Sequence, residues 1–174
     1  MKLQQLKVEF NPEQDRLLVR VSSDDSKEIL LWLTRRCIKL LWPALLKVAQ
    51  STPEIASQAD PEVKKALLGF HHEKAVRQAD FSTPYREIAR ERPLGADPIL
   101  VARVQARRNE RGGSVVSFLP RTGQGVHLTL DDAVLHSFFR LLQSSVAKAE
   151  WDITLTLPQV PVPAEAAGTV RTLN

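Results

Sequence analysis

The stretch from Glu28 to Gln50, EILLWLTRRCIKLLWPALLKVAQ, restricts the fold more than any other part of the chain. Ile29–Leu33 is an unbroken apolar run, the pattern of a strand covered on both faces. Thr34 then supplies a hydroxyl that can accept from an orphan backbone N–H of a first helical turn. From Arg35 to Gln50 the period becomes helical: Arg36, Lys39, Pro43, Lys47 and Gln50 share one stripe, and the remaining positions from Cys37 to Ala49 are apolar. That apolar arc takes more than half the circumference, whereas a helix lying on one sheet hides an arc of about 100° or slightly more. The helix therefore needs cover on two sides. Pro43 frees the carbonyl of Lys39, which lies on the polar stripe, so a helix bent around a core and convex to solvent accommodates the proline. Arg35, Arg36 and Lys39 break the run well short of the roughly 20 apolar residues a membrane span requires.

The flanking segments read as a meander and its echo. Gln5–Phe10 and Arg16–Ser22 alternate as strands, separated by Asn11–Asp15 and followed by the turn Ser23–Ser26. Residues 51–60 are a polar connection. Asp60-Pro61 starts a second helix that runs to Ala79, with Val63, Leu67 and Phe70 on one face. Residues 80–97 read as a long irregular connection that Phe81 and Tyr85 pin to the body. Ile99–Arg108 alternates as one strand, with Leu100, Ala102, Val104 and Ala106 opposed to Val101, Arg103, Gln105 and Arg107. A Gly112-Gly113 hairpin returns through Ser114–Leu119, and Val126–Leu130 leads into a helix capped by Asp131 and ending near Glu150. Trp151–Leu157 alternates as a last strand.

LWLTRRCIKLLWPALLK (Leu31–Lys47) lies without a gap over LTLDDAVLHSFFRLLQS (Leu128–Ser144), placing cap Thr34 on cap Asp131. The chain reads as two strand-strand-strand-helix units with the 61–79 helix between them. The fold class is α+β: a mainly antiparallel sheet of six to seven strands with three helices, both unit helices on one sheet face. Residues 1–157 form a single domain, and the Pro/Ala-rich 158–174 is a flexible tail.

Chemistry is sparse. The single cysteine, Cys37, sits among apolar helix positions, reads as a small buried hydrophobe and fits a reducing cytoplasm. His71 and His72 are adjacent on a helix and point about 100° apart, and His127 and His136 stand alone in sequence, so no metal or other cofactor is implied. Asp131-Asp132 is explained by an N-cap and a first-turn acid. No catalytic constellation is visible, and the reading leans away from an enzyme. Charge is uneven: residues 61–130 carry twelve Lys/Arg against seven Asp/Glu, while 131–174 carry three against five.

Two binding surfaces result. The first is the surplus apolar arc of residues 35–50, through which Leu40, Trp42 and Leu46 would join a second copy or another protein in a non-enzymatic assembly. The second carries the alternative function, a nucleic-acid-binding module using the basic hairpin 103–121, where Arg103, Arg107, Arg108 and Arg111 surround the Gly-Gly tip with Arg121 on the next turn.

Overall fold

The computed structural model describes residues 3–87 and 90–159, so the expected tail lies almost wholly outside the described residues. The order is β1 (Leu3–Asn11), β2 (Arg16–Ser23), β3 (Glu28–Leu33), α1 (Arg35–Gln50), α2 (Pro53–Ala56), α3 (Pro61–Gln78), β4 (Ile99–Leu100), β5 (Arg103–Arg108), β6 (Ser114–Leu119), β7 (Val126–Leu130) and α4 (Asp132–Ala149). The seven strands make two sheets rather than one. In the first, β1-β2-β3 is antiparallel and β4 joins β3 in parallel; the second is an antiparallel β5-β6-β7 meander.

The caps form as their residue types dictate. Thr34 Oγ1 accepts from the Cys37 N–H at 3.2 Å, Asp60 from Glu62 at 2.8 Å and Asp131 from Val134 at 2.8 Å. The polar connection 51–60 also holds a short helix, α2. It starts at Pro53 and buries a single apolar side chain, Ile55.

The two meanders share their register. Leu17 pairs Leu33 as Ser114 pairs Leu130, and Val21 pairs Ile29 as Phe118 pairs Val126. One constant shift relates all four pairs, and the same shift lays Thr34 on Asp131. The helices, however, do not share a sheet. α1 leaves β3 and packs chiefly on β5, while α4 leaves β7 and packs chiefly on β1. Each half covers the sheet of the other.

This exchange resolves the excess apolar arc of α1. Cys37, Ile38, Leu41, Trp42, Leu45, Val48 and Ala49 are all buried within the chain. Trp42, expected at an interface, is 6% exposed. It meets Phe139 of α4 edge-on with ring centroids 5.0 Å apart, and its Nε1–H donates to the Thr156 carbonyl at 3.3 Å. The second cover is thus α4 and the C-terminal segment of the same chain. That segment, 151–157, alternates as expected but joins no ladder. Its Leu155 and Thr156 carbonyls accept from Gln143 and Trp42 on helices, and no strand edge receives them.

Two further expectations change. The Ile99–Arg108 alternation slips by one residue where the chain changes partner: Val101 N–H donates to Trp32, and Ala102 N–H to Leu119. Leu100 and Ala102 consequently lie exposed with Arg103, Gln105 and Arg107, while Val101 is buried. On α3 Val63 and Phe70 of the expected face lie exposed, Leu67 is partly buried against the core, and Leu68, Gly69 and Ala75 are buried. Gly69 sets this rotation, because a Cβ there would stand 2.6 Å from the Pro158 carbonyl oxygen.

The 80–97 connection is held by Glu28, which is 5% exposed. Its carboxylate accepts from Tyr85 Oη at 2.8 Å and from Arg92 Nε at 3.0 Å, and its backbone N–H donates to Glu91 at 2.8 Å. Tyr85 pins the loop as expected, whereas Phe81 stays 45% exposed.

Core and surface alternate along one helix, which urea unfolding can separate. Trp42→Ala should cost about 3–5 kcal/mol by emptying a core site, and Leu40→Ala should stay within roughly 0.5 kcal/mol. Equal costs would mean that Trp42 is not packed as described.

Candidate functional site

On the outer face of the β5-β6-β7 sheet, Arg103, Gln105 and Arg107 stand opposite Leu119, Ser117 and Val115, with His127 and Thr129 completing the face on β7. No acidic side chain belongs to it. Strand geometry spaces Arg103 and Arg107 by about 13–14 Å along β5. Arg121, on the β6–β7 turn, lies at the Arg103 end, and Arg111, on the β5–β6 turn, at the Arg107 end; all four are exposed. The described arginines that meet a carboxylate are Arg20, Arg77, Arg90, Arg92 and Arg108. Arg103, Arg107, Arg111 and Arg121 form no ion pair among the described residues, and neither does Arg36 on α1. The result is a row of free guanidinium groups along one edge strand.

Arg108 belongs elsewhere, because it lies on the inner side of β5. Its Nη1 and Nη2 donate to the two Asp132 carboxylate oxygens at 3.0 and 3.1 Å, Nη1 also reaches Thr52 Oγ1 at 3.3 Å, and Nη2 donates to the Gly112 carbonyl at 2.5 Å. One side chain thus ties the hairpin tip to the start of α4 and the end of α1. It is a structural clamp rather than a solvated turn residue.

Two cavities flank the exchanged helices at matching places. The first, about 740 Å³, lies between the start of α1, β4 and the β6–β7 turn, and Arg36, Leu40, Leu100, Arg121 and Gln124 line it. The second, about 620 Å³, lies between β1, the end of α3 and the start of α4, walled by Ala133, Val134 and Ser137. The shift that relates the halves carries Arg36, Cys37 and Leu40 onto those three residues. The second cavity is also walled by the chain's own Asp80–Tyr85, and the first is the one with arginines. Leu40 and Leu100 on its rim are 50% and 46% exposed.

Leu46, the third expected interface residue, is partly buried against the core, so Leu40 alone of the three offers a large free apolar surface. Burial pushes the Cys37 thiol up to about 12, which leaves it a protonated packing group. Ser117 Oγ and His127 Nδ1 are 2.7 Å apart as a cross-strand pair, but no carboxylate orients the imidazole among the described residues.

His72 and His136, far apart in sequence, meet between α3 and α4 with their Nδ1 atoms 3.3 Å apart. No group of three or more His, Cys, Asp or Glu side chains able to hold a metal occurs among the described residues. Nothing in the spacing of the sequence signalled this pair. Only the docking of α3 through Gly69 creates it.

The chain matches no protein-family model, and no curated protein or solved structure matches it either.

Burial, with His72 adding to it, pulls His136 down to about 4 from the usual 6.5, and burial lowers His72 as well. The folded protein therefore binds fewer protons here than the unfolded chain once pH falls below 6.5. This contribution to stability is lost as pH drops from about 6.5 toward about 4. His136→Leu should remove much of that loss. Urea midpoints of the two proteins, compared near neutrality and in acid, test it, and an identical acid loss in both would show that the pair does not titrate.

Proposed function

We propose that this chain is a non-enzymatic binding protein and that it binds nucleic acid along the arginine row. The observation that carries the reading is that Arg103, Arg107, Arg111 and Arg121 are gathered on one exposed hairpin face with no ion pair among the described residues, whereas Arg20, Arg77, Arg90, Arg92 and Arg108 each meet a carboxylate. Arg16, Arg35, Arg36, Arg86 and Arg140 are also unpaired among the described residues but lie outside the row. Guanidinium groups left free along one face, with Glu110 beside Arg111 the one acid of the β5–β6 hairpin, create a positive field suited to a chain of phosphates. The outer face has hydroxyl and amide groups and the imidazole of His127 but no Phe, Tyr or Trp ring, which favours backbone contact over base readout. A half-buried Trp32 lies on the outer face of the neighbouring sheet, in register with Leu18 and Leu100.

Changing Arg103, Arg107 and Arg111 to Gln, with Arg108 kept, should leave the melting temperature within a few degrees of the parent. The same change should lower affinity for a labelled duplex and reduce the slope of log K against log salt by roughly 2–3. An unchanged slope would remove this face from consideration.

Self-association keeps one supporting observation, the exposed Leu40 beside the exposed Leu100. It predicts twice the 19.5 kDa chain mass at micromolar concentration in sedimentation equilibrium, and a monomer for Leu40→Glu. A single-chain mass over the accessible range would end this second reading.

A further inference from the structure

We propose that the cavity between α1, β4 and the β6–β7 turn receives one unpaired nucleotide from a nucleic acid lying along the arginine row, a step that rests on the reading above. Three observations converge on it. The cavity is continuous with the row: Arg121 belongs to both, and Ala102 in its wall is followed directly by Arg103. Its volume of about 740 Å³ falls inside the span of about 300–1,000 Å³ usual for small-ligand sites. Its chemistry is divided as a nucleotide is divided. Arg36 and Arg121 carry no ion pair among the described residues and face a phosphate's charge, while Leu40, Leu94 and Leu100 offer apolar surface to the faces of a base. Asp97 can accept from an exocyclic amine, and Gln124 can donate to or accept from a base edge.

The matching cavity has Ala133 where this one has Arg36, and Ser137 where this one has Leu40. It is also walled by Asp80, Phe81, Thr83, Pro84 and Tyr85 of its own chain, of which Tyr85 is half-buried and Phe81 is 45% exposed. In the first cavity Leu40 and Leu100 are exposed beside Arg36 and Arg121, a pairing of apolar and cationic side chains that the second cavity lacks at the matching positions. A paired, stacked base cannot enter such a site without unstacking. Nucleic acid with single-stranded ends or stretches is therefore preferred over blunt duplex.

Fluorescence anisotropy with three labelled probes tests this: a blunt duplex, the same duplex with a single-stranded overhang, and the free single strand. The overhang should bind about tenfold more tightly than the blunt duplex at equal salt. The paired change Leu40→Gln and Leu100→Gln should abolish that preference while blunt-duplex affinity and the melting temperature hold, since both side chains are exposed. Equal binding of blunt and overhang probes, or a preference that survives the paired change, overturns the cavity assignment while leaving the arginine row standing. Conversion of a dimer to a monomer by the same change, with no effect on the preference, overturns it in favour of a contact between copies. Failure of all three probes to bind the parent protein removes the row and the cavity together.

Discussion

The apolar arc of α1 is wider than one layer can hide, and the source of its second cover decides the rest of the fold. Packing on β5 buries one flank, and Phe139 of α4 with the backbone of residues 155–157 buries the other. Because α4 reciprocates on β1, each half is completed by the other. The hydrophobic core runs continuously through both sheets, from Val8 and Leu17 to Phe118, Phe138 and Trp151. Apolar area removed from water stabilises in proportion to its extent, so the exchange favours the joined pair over either half alone.

Arginine takes two roles in this protein. Arg108 meets Asp132 through two hydrogen bonds, one to each oxygen, where the planar fork suits a carboxylate, and Arg92 holds Glu28 through one hydrogen bond from Nε with Nη2 2.9 Å from the same oxygen. Those on the outer strand have no carboxylate to meet. Glu28 is the centre of the first kind. A carboxylate 5% exposed, it is compensated by Tyr85 and Arg92, with Arg20 and Arg90 at 3.9 and 4.0 Å. Removing that acid would take the acceptor from the half-buried Tyr85 hydroxyl and the counter-charge from Arg90, whose side chain is 1% exposed, and a buried polar group left unsatisfied costs more than its hydrogen bond contributes.

Much of the architecture was legible because it is local. Caps, strand limits, the helix with its internal proline and the near-repeat all follow from residue types at short spacing. What the chain hid depends on contacts between distant segments. Ile99–Arg108 alternates without a visible break, and only the change of partner from Trp32 to Leu119 shifts its phase. Arg107 and Arg108 are neighbours of one type, yet the pleat sends one to solvent and the other to Asp132. Trp42 looked like surplus because its partner, Phe139, lies in the other half. The rotation of α3 depends on a glycine that admits Pro158, and the same docking brings His72 to His136. The cavity beside Arg36 combines three separate segments, so neither its volume nor its exposed leucines could be read from spacing.

The exchange of helices has a cost in time. During synthesis α1 leaves the ribosome with its broad apolar surface long before the strands that will cover it. From Gln50 to Leu119, where the β5–β6 hairpin is complete, about 70 residues must still be made, roughly 4–14 seconds at ordinary elongation rates. In that interval the nascent chain presents an amphipathic helix with no folded partner, and the natural occupants of that surface are chaperones or a neighbouring nascent copy. The basic stripe of Arg36, Lys39 and Lys47, together with Pro43 on the exposed side, leaves one flank of the waiting helix soluble. The abundance of this protein in a cell should accordingly depend on the speed at which residues 51–119 are translated.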